Sequence, residues 1–389
     1  MTNNKPVYDE SSIRQIKPHE HIRLRPGMYV GGTDKNALHH LFHEVFDNAI
    51  DEAIAGHCDH IWITLRPNHE LSIRDNGRGM DVKITSHGEN MLQLLMTQVF
   101  VGRRSEKYSV SGGLHGVGIT VVNALAAECS AEVARDAYLW RQMYEAGTPV
   151  TEVIQVRSLA EDESTGTCIT IQPDFTIFEP NEFDYEILAE RAREVAYLVP
   201  NLTITLRDER ENPPREGVYH FADGLSGYIK YLNQASSMVH SPFTANLECT
   251  IQSSSRDEYK TRIEVAFQYT DTMVSNIVGY VNTVRTAGGF HTDIVPSTLF
   301  KLINLSAKQL GFEAFTITEI MPGMTAIVSV WHPHPSFESQ TNITFIRPEM
   351  SSIVAVALEA TMQPYAYFDD NIKQLIQKLL ANRRLLQDG

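Results

Sequence analysis

Residues 111–118 read Ser-Gly-Gly-Leu-His-Gly-Val-Gly, and the fold turns on what can surround such a stretch. Four glycines fall within residues 112–118, so the backbone there is nearly free of Cβ atoms and can approach a ligand closely. The apolar run Ile119-Thr120-Val121-Val122-Asn123-Ala124-Leu125 follows at once and predicts the opening of a helix. A glycine loop feeding a helix N-terminus offers unpaired N–H groups and a favourable dipole end to phosphate oxygens.

Two common phosphate loops are excluded. No Gly-Lys-Ser/Thr occurs in the chain, as a Walker loop requires. A dinucleotide fingerprint needs a strand immediately before its glycines, whereas residues 102–109, Gly-Arg-Arg-Ser-Glu-Lys-Tyr-Ser, are polar and poor in strand formers. That segment reads as a lid over a different kind of nucleotide pocket.

Moving outward, Leu38 to Ala55 carries apolar residues at helical spacing, with Gly56 as the stop. His40, Glu44 and Asn48 recur every fourth residue and share one stripe of that helix. Asp47, Asp51 and Glu52 lie beside it. A carboxylate there can take a proton from an attacking water, and an amide oxygen can ligate a hard cation such as Mg²⁺. Ile61–Leu65 and Leu71–Arg74 predict a hairpin turning through Pro67-Asn68-His69. At the end of its second strand comes Asp75-Asn76-Gly77-Arg78-Gly79-Met80. Alone, Asp-Asn-Gly is a near-ideal Asx turn; beside glycines, its carboxylate can also accept from the exocyclic amine of an adenine lying flat on the backbone.

The remainder reads as further strands to about 175, a charged helix near 185–198, and a second unit opening at Asp223-Gly224-Leu225. That unit has strands near 263–270, 278–283 and 325–331 and helices near 292–310, 350–362 and 368–385. Residues 1–20 read as an extended arm and 25–32 as a turn-rich connector. At 389 residues two domains are expected, 1–222 and 223–389. The N-terminus lacks the apolar core of a signal peptide, no apolar run is long enough to span a bilayer, and the four cysteines lack metal-ligand spacing. A reduced, cytoplasmic chain is expected. A net charge of −15 argues against duplex DNA being held by charge alone. Lys373, Lys378, Arg383 and Arg384 read as a solvated helix face.

Glu44…Asn48, Asp75-x-Gly77-x-Gly79, the 112–118 loop and Gly166-Thr167, in that order, resemble the ATP site shared by gyrase, the ATP-driven heat-shock chaperones, histidine kinases and MutL. Within that superfamily, Arg25-Pro26-Gly27-Met28-Tyr29-Val30-Gly31, Asp47-Asn48-Ala49-Ile50-Asp51-Glu52-Ala53 and Ser111–Gly118 resemble the B-type chain of bacterial type II topoisomerases, of gyrase or topoisomerase IV (ParE) type. The resemblance runs from Tyr8 to about residue 385. It implies an α+β chain: a Bergerat-type α/β sandwich ATPase domain, then a smaller α+β transducer domain.

Residue by residue, the resemblance implies that Glu44 activates water with His40 orienting it, and that Asn48 holds Mg²⁺ against the triphosphate of ATP. Asp75 would read the adenine amine with Thr167, and Arg78 would pair with Glu52 at the pocket floor beside Gly79 and Met80. Gly113, Leu114, His115, Gly116, Val117, Gly118 and Ile119 would wrap the phosphates, with Tyr108 nearby. Tyr8 would reach over the nucleotide of a partner subunit, and Arg141 would lie at the pocket rim. From the second domain, Gln340 matches the family's Gln-Thr-Lys loop, but Asn342 stands where that loop has its lysine, and Phe290 interrupts Gly-Gly-Thr-His. A charge-assisted contact to the γ-phosphate is worth roughly 1.5–3 kcal/mol, so the asparagine predicts slower hydrolysis; Arg347 is a candidate to supply the missing charge.

The implied function is the ATP-driven, dimerising gate of a type II topoisomerase, closing through its N-terminal arm and working with an A-type cleavage subunit (gyrase A or ParC-like) on double-stranded DNA, away from membranes. The alternative is a nucleotide-gated dimerisation module with little hydrolysis. The Glu-Gly-Asp-Ser and Asp-x-Asp motifs of the family's cleavage-assisting domain do not occur, so this stretch alone is expected neither to supercoil nor to relax DNA, as a portion of a longer chain or a stand-alone paralogue.

Overall fold

The computed structural model describes residues 16–99, 101, 116–252, 258–338, 344–362 and 369–388. The glycine loop through His115, the expected lid with Tyr108, the arm residue Tyr8, and Gln340 and Asn342 lie outside these.

In the first half, α1 (Pro18–Leu24) starts on a proline, whose fixed φ suits the first helical position; the last residues of the expected arm are therefore helical. The connector contains one helical turn, α2 (Gly27–Val30). The long helix α3 (Lys35–Ile54) is capped by Asp34, whose side chain accepts from Ala37 N at 3.0 Å. It buries Leu38, Leu41, Phe42, Val45, Phe46 and Ala49. β1 (His60–Arg66) and β2 (Glu70–Asp75) form the expected antiparallel hairpin, with Asn68 and His69 both at positive φ in its turn. After α4 (Met91–Thr97) and α5 (Gly118–Leu125) come β3 (Ala126–Arg135), β4 (Tyr138–Glu145), β5 (Thr148–Pro149), β6 (Ile154–Ser158) and β7 (Gly166–Pro173). α6 (Tyr185–Leu198), β8 (Thr203–Asp208) and β9 (Arg215–Tyr219) complete this half.

The strands form one sheet in the order β5-β4-β3-β7-β2-β1-β8-β9, with β6 also on β4. Only the β1–β8 pair is parallel among the described pairings of this sheet. Period-two burial gives the sheet two faces. Ile61, Ile63, Ile73, Ala131, Val133 and Ile169 share one core with α3 and α5. By register, Trp62, Arg74, Cys168, Glu132 and Arg141 share the other face.

The second half begins with α7 (Gly224–Leu232), followed by β10 (Phe243–Gln252), β11 (Glu258–Tyr269), β12 (Asn276–Val281), β13 (Val284–Thr286) and the short β14 (Gly288–Gly289). Then come α8 (Phe290–Gln309), α9 (Ile317–Ile320), β15 (Met324–Trp331), β16 (Thr344–Phe345), α10 (Glu349–Met362) and α11 (Asp370–Asp388). Five strands order as β10-β11-β15-β12-β13, and β14 pairs with β16. One face, including Val265, Phe267, Ala326 and Val328, packs with residues of α8, α10 and α11. On the other face, Ala266, Val278, Tyr280 and Ile327 pack with Tyr197 and Leu198 of α6 and Leu225, Tyr228 and Ile229 of α7. Covered on both sides, β15 is buried along its whole length, which is why its apolar residues do not alternate with exposed ones and only Thr325 and Ser329 are polar within it.

Two features depart from the sequence reading. The edge strand β10 alternates buried or half-buried apolar residues with exposed polar ones along its whole length, a period-two signal that the sequence carries and the reading above does not include. The basic cluster on α11 is a solvated face only in part: Lys373 and Arg384 are exposed, but Lys378 and Arg383 are tied into the fold. Arg383 Nε donates to Glu319 at 2.6 Å and its guanidinium lies over Phe315, while Lys378 donates to the carbonyls of Asp271 and Thr272.

Candidate active site

The turn after β2 is held by bonds from three directions. Asp75 is buried, and its Oδ1 accepts from Gly77 N at 2.8 Å and Thr167 N at 3.3 Å. Its Oδ2 has no hydrogen-bond partner among the described residues. Burial pushes this carboxyl up to about 6, partly offset by the two backbone donors. Met80 N donates to Thr167 Oγ1 at 3.1 Å, and Thr165 Oγ1 donates to Gly77 O at 2.6 Å. Glu52, reaching from α3, accepts from Arg78 N, Nε and Nη2 at 3.0, 3.0 and 2.8 Å. The glycines are steric requirements. A Cβ on Gly77 would lie 2.8 Å from Asp75 Oδ1 and 2.9 Å from Glu52 Oε2, and one on Gly166 would run into the Asp75 carbonyl.

The α3 stripe is built differently. Glu44 and His40 are one turn apart, with Oε1 and Nε2 separated by 3.4 Å. The Glu44 side chain keeps a third of its exposure, yet its surroundings are protein. Desolvation, with a smaller contribution from the Asp47 carboxylate, pushes it up to about 7. Burial lowers His40 below its ordinary value, so near neutral pH it is an uncharged neighbour. Asn48 is exposed one turn on, and its amide has no hydrogen-bond partner among the described residues.

Glu44 meets the start of α5. Gly118, the first residue of that helix, has no room for a side chain, since a Cβ would collide with Glu44 Oε2. The Val117 N-cap makes no side-chain cap, so the first-turn N–H groups of α5 remain available to an anion. Gly116 is exposed and Val117, Gly118 and Ile119 are half-buried. Thus Glu44, His40, Asn48 and the 116–119 end of the loop lie on one side of α3's exposed stripe, and Glu52, Arg78, Asp75, Gly79, Met80 and Thr167 two turns further along.

Arg141 is not part of this arrangement. It donates from Nε to Glu132 Oε1 at 2.6 Å, on the sheet face turned away from Asp75. Arg347 donates to the His334 carbonyl at 2.6 Å. Sequence reasoning missed Arg191 of α6, whose Nη2 lies 3.1 Å from Asp47 Oδ1. An ion pair 144 residues apart leaves no spacing to detect.

No group of three or more His, Cys, Asp or Glu residues among the described ones could hold a metal ion. A cation bound beside Asn48 would therefore need most of its oxygens from a ligand rather than from the protein.

Comparison with known proteins bears on both halves. The family model for histidine kinase-, DNA gyrase B-, and HSP90-like ATPases matches residues 33–177, and that for DNA gyrase B matches 224–386. The DNA gyrase B protein of Thermotoga maritima is 37% identical over 388 residues, covering 97% of this chain and 60% of the relative. The chain belongs to the DNA gyrase B family. The DNA gyrase B protein of Archaeoglobus fulgidus is 36% identical, covering 97% of this chain and 59% of its own length. The chain therefore spans about 60% of the curated gyrase B relatives it matches. Among solved structures, the 43K ATPase domain of Thermus thermophilus gyrase B, in complex with an aminocoumarin, superposes with a TM-score of 0.80 at 28% identity, covering 96% of this chain and 97% of that one. The ATPase-plus-transducer architecture expected for this family is the one observed. No helix among the described residues is long and apolar enough to cross a membrane.

Proposed function

We propose that this chain binds MgATP in the first domain and hydrolyses it, serving as the ATP-driven gate of a type II DNA topoisomerase. The observation carrying this reading is Glu44: a carboxyl raised to about 7, pressed against the uncapped start of α5, with Asn48 one turn away. A base poised near the working pH is suited to take a proton from water, and the helix end is suited to the phosphates.

Asp75 Oδ2 accepts from the adenine amine, and the Arg78–Glu52 pair fixes the floor on which the base rests. His40 orients Glu44. Asn48 holds Mg²⁺, which neutralises phosphate charge when bound. Gly113 to Ile119 donate backbone N–H groups to the phosphates, and Tyr108 lies near them. Tyr8 reaches the nucleotide of a second copy, so that ATP drives dimerisation through the arm. Gln340 and Asn342 meet the γ-phosphate from the second domain. The partners are an A-type cleavage subunit and double-stranded DNA, and the setting is the cytoplasm.

A second reading, a nucleotide-gated dimerisation module that hydrolyses little, is favoured by Asn342 alone. Phosphate release from ATP separates the two. Steady turnover supports the first; dimerisation on a non-hydrolysed analogue with no phosphate from ATP supports the second. Equal turnover in the chain and in Asn342→Lys would show that this position does not limit the rate.

A further inference from the structure

The β12–β13 hairpin turns through Asn282 and Thr283, both at positive φ (50° and 69°). A two-residue turn of this kind favours Asn followed by Gly, and a β-branched residue in its second position is strained. Thr283 is also buried, at 1% exposure, and its hydroxyl finds no partner among the described residues. Backbone strain of this sort persists where the surrounding structure uses it.

The Thr283 carbonyl has a use. Arg191 Nη1 donates to it at 2.8 Å, while Nη2 of the same guanidinium donates to Asp47 at 3.1 Å. The Arg191 side chain is only 10% exposed. Asp47 lies on α3 between Glu44 and Asn48. Behind the arginine sits Glu194, 3.8 Å from Nη1, and Glu194 Oε1 also accepts from Tyr280, Tyr228 and Arg285 at 3.0, 3.3 and 3.3 Å. The turn is itself clamped to the end of β15, since Asn282 Nδ2 donates to His332 O and His332 N donates to Asn282 Oδ1, each at 2.8 Å. One buried fork therefore spans α3, α6 and the second domain.

We propose that Arg191 is a positioning residue for the ATP reaction: its two nitrogens grip Asp47 and the Thr283 carbonyl, so that the reactive stripe of α3 and the second domain move as one piece. This rests on the reading of α3 given above. Arginine suits the task because its rigid fork holds two acceptors at fixed angles, which a lysine ammonium does not. The strained turn presents its carbonyl where the fork requires it.

The test uses the full chain with Arg191→Gln, Arg191→Lys, Asn282→Ala and the Arg191→Gln/Asn282→Ala double variant. Affinity for a non-hydrolysed ATP analogue and single-turnover hydrolysis are measured for each. The expected result is analogue affinity within about threefold of the parent, hydrolysis about tenfold slower in Arg191→Gln, and part of that loss recovered in Arg191→Lys. The double variant should be no slower than the worse single one, because contacts in one path do not add. Hydrolysis at the parent rate in Arg191→Gln, or costs that multiply in the double variant, would overturn the proposal. If Arg191→Gln does not fold, Arg191→Lys and Asn282→Ala carry the test, and parent rates in both overturn it. Glu44→Gln is the control: turnover at the parent rate there removes the reading of α3 itself, whereas a dead Glu44→Gln beside an unimpaired Arg191→Gln removes only the present inference.

Discussion

The Asp75–Met80 turn and the Glu44 stripe both border α3, and they are built in opposite ways. In the turn, Gly77 N, Arg78 N, Met80 N and one Asp75 oxygen are all bonded within the protein, and Asp75 Oδ2 is left without a hydrogen-bond partner among the described residues. Along the stripe, Glu44 is raised toward neutrality, Asn48 is exposed, and the first turn of α5 is uncapped. A turn so heavily bonded suits recognition, because little has to reorganise when a base arrives. A carboxyl whose charge is disfavoured, beside an exposed amide and an uncapped helix start, suits chemistry, because such groups can change charge or partner during the reaction.

The contrast can be broken at either end. The largest effect is expected from Glu44→Gln, which removes the proposed base: hydrolysis should fall about 100-fold or more, by the usual weight of general-base catalysis, in a phosphate-release assay. Gly118→Ala should act through the same group, since the new methyl takes the space of Glu44 Oε2; a loss of about tenfold or more in turnover is expected. Wild-type turnover in Gly118→Ala would mean that Glu44's position does not matter. In the parent chain, hydrolysis should rise with pH to a limb near 7, where Glu44 loses its proton, and a pH–rate profile reads this directly.

The smallest effect is on stability. The folded-state value of Glu44 lies above the ordinary carboxyl value of 4.5, so its contribution is fully present below about 4.5 and is lost as pH rises through 7. Glu44→Gln escapes that loss. Its melting temperature relative to the parent should therefore be higher at about pH 8 than at about pH 4.5, in thermal unfolding followed by circular dichroism. A difference that does not change with pH would show that Glu44 is not held in its raised state.

Much of this site is legible in the sequence because close approach demands glycine. Gly77, Gly118 and Gly166 each stand where a Cβ would strike Asp75 or Glu52, Glu44, or the Asp75 carbonyl, so their spacing records the pocket. The i, i+4, i+8 stripe of His40, Glu44 and Asn48 is legible for the periodic reason that builds any helix face. The hairpin 61–74 and the helix 185–198 follow from period and turn chemistry. What joins the domains is not legible. Arg191, Asp47 and Thr283 come from three elements with no fixed spacing, and Arg191 reads like any other charge on α6. Arg383 of α11 misleads for a similar reason: it is recognisable as structural only once Glu319 and Phe315 are seen beneath it.

The proposed function makes recognition at the turn and chemistry along the stripe separate tasks, and nucleotide affinity tests that division most directly. Binding of a non-hydrolysed ATP analogue with Mg²⁺ is measured by calorimetry for Asp75→Asn and Glu44→Gln side by side. Asp75→Asn should lose about 10- to 100-fold in affinity, the range expected when a buried acceptor to a bound group is replaced, while Glu44→Gln stays within about threefold of the parent. Equal losses in both variants, or none in Asp75→Asn, would contradict that division.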